Sequence, residues 1–253
     1  MTQVHYPELS RNRSNITFQD LTDQILESTG LNSQCDSASL TRSIRIIEPY
    51  VASPHRINNL LNSWLDLMSN GSEIKRGQSQ VHNNGFLKIS LYKFDSGWNL
   101  RLHVWPPKVS DPRIHDHRWS FASLSLAGRL DAMNYILDES ALDNMPRYRL
   151  YDADLTGEKQ LERIDDAKLR PTCSYRLSQG DFHLLDYRDP HIVWNPTNDY
   201  SITLMLSGPA ERSYSHSFGP RSEKNSLPAP SVITDDQAKL TVAEIASQFG
   251  KRL

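Results

Sequence analysis

Two histidines separated by one residue, in the run Arg113-Ile114-His115-Asp116-His117-Arg118-Trp119, are the residues most able to do chemistry. On an extended strand, side chains two apart point the same way, so both imidazoles could grip one metal ion. The same alternation would put Trp119, Phe121, Ser123 and Ser125 on the ligand side, and Asp116, Arg118 and Ser120 on the far side. A His-x-His pair alone is a weak signal, because it can equally be a loop beside Pro112.

Residues further along the chain strengthen it. Gly128 closes the segment, and Gly180-Asp181 precedes Asp189-Pro190-His191-Ile192-Val193-Trp194-Asn195-Pro196. This order resembles the cupin superfamily, whose first motif supplies His-x-His and whose second runs Gly-Asp and then Pro-His-x-x-x-Asn. The resemblance covers roughly residues 80 to 220. It implies a jelly-roll barrel with a metal held by His115, His117 and His191. Many cupins add a glutamate shortly after the pair, and Ser120 to Ser125 contains none, which leaves an all-histidine set. Three neutral imidazoles suit Fe, Zn, Ni or Cu.

Within the cupins, the strand Trp98 to Trp105, the pair, the segment His191 to Pro209 and Tyr214 to Phe218 are similar to the cysteine dioxygenase group. That group has a three-histidine iron(II) site and inserts dioxygen into small thiols. The resemblance implies Fe(II) as cofactor, dioxygen and a small polar metabolite as substrates, and Arg101, His103 and Trp105 facing the cavity. The chain departs from the group where a histidine and a tyrosine of the last core strand would align with Met205 and Ser207, and where a cysteine would align with Ala122.

Arg101, on a cavity-facing strand position, should meet a buried carboxylate or an anionic substrate, because an unpaired buried cation is costly. His103 is a candidate for substrate contact and Tyr187 for a proton or hydrogen bond to the reacting group. Asn195 is read as fixing the turn after His191 and orienting that ligand; His183 alternates away from the ligand side, and His216 lies near the barrel mouth. Two other functions stay open: a redox-neutral metal-dependent isomerase or hydrolase, and a non-catalytic ligand-binding module.

Helix and strand patterns supply the frame for these groups. With 253 residues the chain can bury one ample core. Residues 1–15 are polar and read as poorly ordered; Thr17 reads as the N-cap of a helix running to Gly30, and a second helical region spans about Ser37 to Met68 with interruptions near Pro49 and Pro54. Phe86–Phe94 and Trp98–Trp105 form a hairpin turning at Asp95-Ser96-Gly97. The histidine pair starts a strand reaching Leu130, and shorter strands come near 132–137, 147–152, 160–164, 172–177, 182–185, 191–194 and 200–207. The expectation is a mainly β jelly roll over 80–220, an N-terminal helical segment over 1–79 packed on it, and a linker with a terminal helix, Leu240 to Phe249, over 221–253.

Two cysteines, Cys35 and Cys173, make no disulfide framework. There is no basic tract at a net charge of -2, which argues against nucleic acid, and no apolar run of the ~20 residues a membrane helix needs. The expected setting is the cytoplasm, with a small molecule and a second copy of the chain as partners.

Overall fold

In a computed structural model the described residues are 17–29, 35–71, 74–142, 144–153, 159–220, 226–227 and 229–251. The expected disorder of residues 1–15 and the helix end at Gly30 lie outside them. Three helices come first: α1 (Phe18–Thr29), α2 (Ser37–Val51) and α3 (Pro54–Ser69). Each starts where a side chain satisfies a free backbone N–H. The Thr17 hydroxyl accepts from Asp20 N at 3.1 Å, an Asp36 carboxylate oxygen accepts from Ser39 N at 2.7 Å, and the Ser53 hydroxyl accepts from Arg56 N at 3.3 Å. Pro49 does not break α2 where a stop was expected; it sits in the last turn, and the break falls at Ser53, with Pro54 opening α3.

The strands are β1 (Gln80–Val81), β2 (Leu87–Lys93), β3 (Asn99–Trp105), β4 (Ile114–His115), β5 (Phe121–Ala127), β6 (Arg129–Leu137), β7 (Asn144–Ala153), β8 (Lys159–Ser178), β9 (Phe182–Leu185), β10 (His191–Trp194), β11 (Ser201–Ser207), β12 (Tyr214–Phe218), β13 (Ser226–Leu227) and β14 (Ser231–Val232), followed by α4 (Asp235–Gly250). They form two antiparallel seven-stranded sheets, in the orders β14-β1-β2-β3-β11-β5-β9 and β13-β8-β6-β10-β4-β12-β7. From β3 to β6 and again from β8 to β12 the chain passes from sheet to sheet, which is the jelly-roll pattern expected from the sequence.

Alternation explains how the first sheet serves two purposes. Leu100, Leu102, Leu124, Leu126, Ile202, Leu204 and Leu206 face one way, into a core shared with Phe18, Leu21, Ile44, Ile57, Leu61, Trp64, Val242 and Phe249 of the four helices. Trp64 donates its indole N–H to the Leu91 carbonyl at 3.1 Å, fixing α3 on β2. The intervening residues Arg101, His103, Ser123, Thr203 and Met205 line a cavity between the sheets.

Four boundaries differ from the sequence reading. The histidine strand stops at His115 and does not resume until Phe121, because Asp116 N donates to His216 O at 3.1 Å and His117 N to Tyr187 O at 3.1 Å. Those bonds belong to two different segments, so the chain leaves one sheet and crosses to the other. The strands expected at 160–164 and 172–177 are one long β8, which carries Pro171 opposite Tyr135 at a register shift that needs no ladder bond from proline. The terminal helix starts at Asp235, earlier than expected, through a capping box between Thr234 and Gln237. The expected linker lies partly outside the described residues, and its described parts β13 and β14 extend the two sheets.

Candidate metal centre

His115 and His191 are direct cross-strand partners in β4 and β10, so their side chains leave the sheet on the same side. His117 lies in the crossing segment. It returns to the same point because its backbone is tied to Tyr187. One nitrogen from each ring falls within 4.8 Å of the others, and His117 Nε2 lies 3.4 Å from His191 Nε2. Two nitrogens held ~2.1 Å from one tetrahedral ion would stand roughly 3.4 Å apart, so the donor set fits a metal. Burial first, and then the neighbouring imidazoles, push His117 and His191 well below the ordinary histidine value, which keeps them in the neutral form a metal needs. His115 Nδ1 lies 3.2 Å from the Arg113 carbonyl.

Asp111 supports this arrangement, and no sequence pattern pointed to it. Its buried carboxylate accepts from Val193 N at 2.9 Å and Asn84 Nδ2 at 2.8 Å, and stands 3.9 Å from His115 Nδ1. Burial raises its pKa.

Several expectations change here. Asp116 does not face outward: it is 3% exposed, pairs with Arg212, and accepts from His216 Nδ1 at 2.8 Å. Arg118 lines the cavity, and Ser120 is buried with its hydroxyl accepting from Tyr187 N at 3.0 Å. Period-two alternation fails for all three because residues 116–120 are not a strand. His183 lines the cavity instead of turning away, since β9 pairs with β5 in the register Ser123 to His183 and Ser123 is on the cavity face. The Tyr175 hydroxyl lies 2.6 Å from His183 Nε2 and donates to Asn134 Oδ1 at 3.0 Å. Burial lowers His183 to about 4. His216 also lines the cavity.

Arg101 and His103 face the cavity as expected, but among the described residues Arg101 meets no carboxylate. Its Nη1 is sealed from solvent without an acceptor, and its guanidinium carbon lies 4.9 Å from the Trp119 ring centre. Burial, with help from Arg118, pushes its pKa down to about 10. His103 is 7% exposed, has an Nε2 with no partner, and is pushed well below the ordinary value by burial. Tyr187 is not brought to the imidazoles. Its ring lies against the guanidiniums of Arg188 and Arg212, and it is not among the lining residues. Asn195 does fix the turn, donating to Trp105 O, Pro106 O and Asp199 O; its bonds run there and not to His191.

The cavity has a volume of about 490 Å³. Among the described residues its walls carry five cationic side chains, Lys88, Arg101, Arg113, Arg118 and Lys159, and two carboxylates, Asp111 and Asp116. Asp111 accepts from Val193 N and Asp116 pairs with Arg212.

No family model matches the sequence, and no curated protein matches it. Solved structures similar to it include the cupin domain of Cnp3 from Schizosaccharomyces pombe, at 6% identity over 49% of this chain with a TM-score of 0.31; this chain covers 61% of that one. A cupin superfamily protein from Desulfitobacterium hafniense has 11% identity over 51% of this chain and 81% of its own, with a TM-score of 0.30. A recombinant oxalate oxidase in complex with glycolate has 13% identity over 53% of this chain and 55% of its own, with a TM-score of 0.33. No described helix is long and apolar enough to cross a membrane.

Proposed function

We propose that the chain is a non-haem iron(II) dioxygenase of the cupin type acting on a small anionic metabolite, with thiols and amino-acid derivatives the first classes to try. The observation that carries this reading is the convergence of three imidazoles in a cavity that also holds a guanidinium whose Nη1 is buried without a hydrogen-bond partner. A ferrous ion bound by His115, His117 and His191 would supply open coordination positions for substrate and dioxygen, and the electrons that reduce dioxygen would come from the substrate into which it is inserted. The chain's own residues do the rest. Arg101 holds the anionic group of the substrate through the hydrogen bonds its guanidinium lacks, and His103, two residues along β3 on the same face, offers a further polar contact. Trp105, Trp119, Phe121 and Met205 wall the site and keep bulk water from the reacting atoms. Asp111 and Asp116 hold the segments that carry the ligands.

The test is elemental analysis of protein purified without added metal, together with oxygen uptake over a panel of small thiols and amino acids. Iron near one per chain and substrate-dependent uptake are expected, both lost in His191→Ala. Turnover that continues without oxygen would replace this reading with a redox-neutral reaction.

A further inference from the structure

Behind the imidazoles lies a cation that the metal reading leaves unused. Arg212 sits in the connection between β11 and β12, with its side chain 15% exposed. Its Nε and Nη2 donate to the His117 carbonyl at 3.1 and 2.7 Å, and Nη2 also donates to the Tyr187 carbonyl at 3.1 Å and pairs with the Asp116 carboxylate. The Tyr187 and Tyr214 rings lie 5.2 Å from its guanidinium carbon. Its acceptors belong to the two irregular segments on which the centre depends. Asp116 and His117 lie in the crossing after β4, and Tyr187 opens the loop that delivers His191 four residues later. Neither segment has a strand ladder of its own to set its position.

We infer that Arg212 is a positioning residue for the metal centre, setting the separation between His117 and His191 and so the affinity and geometry with which a divalent ion is held. This rests on the reading of the three histidines as ligands. The planar fork suits the task, since it addresses acceptors on two segments in one plane; a lysine, with a single ammonium point, cannot. Removing a partner outside the ligand shell commonly weakens metal binding roughly 10- to 100-fold.

The test titrates metal-free wild type, Arg212→Ala and Arg212→Lys with Co(II), reading the dissociation constant and visible ligand-field spectrum, and records the melting of each metal-free protein. Both variants are expected to bind Co(II) roughly 10- to 100-fold more weakly with displaced bands. Millimolar methylguanidinium should restore Arg212→Ala and leave Arg212→Lys unchanged. Should Arg212→Ala fail to fold, Arg212→Lys, which keeps charge and stem, decides alone. A folded variant with wild-type affinity and spectrum overturns the inference while leaving the metal site standing. A wild type that binds no Co(II) overturns both.

Discussion

Arg101 is the residue at which function and stability should pull in opposite directions. Holding a cation out of water without an anion beside it destabilises the fold by several kcal/mol, and the ring of Trp119 offsets only part of that. Arg101→Met should therefore raise the stability of the metal-free protein by about 1–3 kcal/mol, seen as a higher melting temperature, while weakening the binding of anionic substrates at least tenfold. A variant that melts lower would mean that the guanidinium serves the fold. His103 and His191 carry sealed nitrogens of the same kind, whereas Tyr187, for all its promise in the sequence, spends its backbone on His117 and its ring on two arginines.

At the scale of the element, the junction between β5 and β6 decides whether the two sheets close over the cavity. Gly128 has φ +76°, and a Cβ there would come within 2.5 Å of Ser201 Oγ and 2.6 Å of the Tyr200 carbonyl. Ser201 cannot give way freely, because its hydroxyl accepts from Arg129 N at 2.9 Å and donates to Arg129 O at 2.7 Å. Gly128→Ala should destabilise the protein by about 2–4 kcal/mol, combining backbone strain with the loss of those bonds, as read from the urea midpoint. A shift below about 0.5 kcal/mol would show that the turn accommodates a side chain. The β3 pattern shows what an element makes legible: the family resemblance put Arg101 and His103 on the cavity side, and along the strand they alternate with Leu100 and Leu102, which face the helices. The segment 116–120 shows the limit, since the same rule sent Asp116 outward when its bonds lie in another part of the chain.

For the molecule as a whole, the consequence is a dependence on pH. His82, His103, His117, His183 and His191 are all pushed below the ordinary histidine value, burial being the main cause in each. In the unfolded chain these groups take up protons near pH ~6.5. The unfolded state then binds more protons than the folded one, so stability is complete above that pH and falls as the pH drops below it. The metal-free protein should lose stability by up to about 1.4 kcal/mol per pH unit for each imidazole, a steep fall in melting temperature between about pH 6.5 and pH 5. A flat profile over that range would show that the five rings accept protons in the folded state. A bound divalent ion should deepen the fall, since protons compete for the same nitrogens.

The sequence determined the helix start at Thr17 and the hairpin around Gly97, and its motifs gave the set of histidines from which the centre is assembled. The first two are local facts, carried by a cap and a turn within a few residues, and the histidines were legible through the order of two motifs that resemble a known family. The tertiary structure decided how the chain crosses between sheets after His115, and it brought Asp111, Asp116, His183 and Arg212 to the ligands. Those placements depend on strand register and on contacts such as Asp116 with His216, 100 residues apart. No local pattern encodes such a pairing, because the residues become neighbours only when both sheets have closed around the cavity.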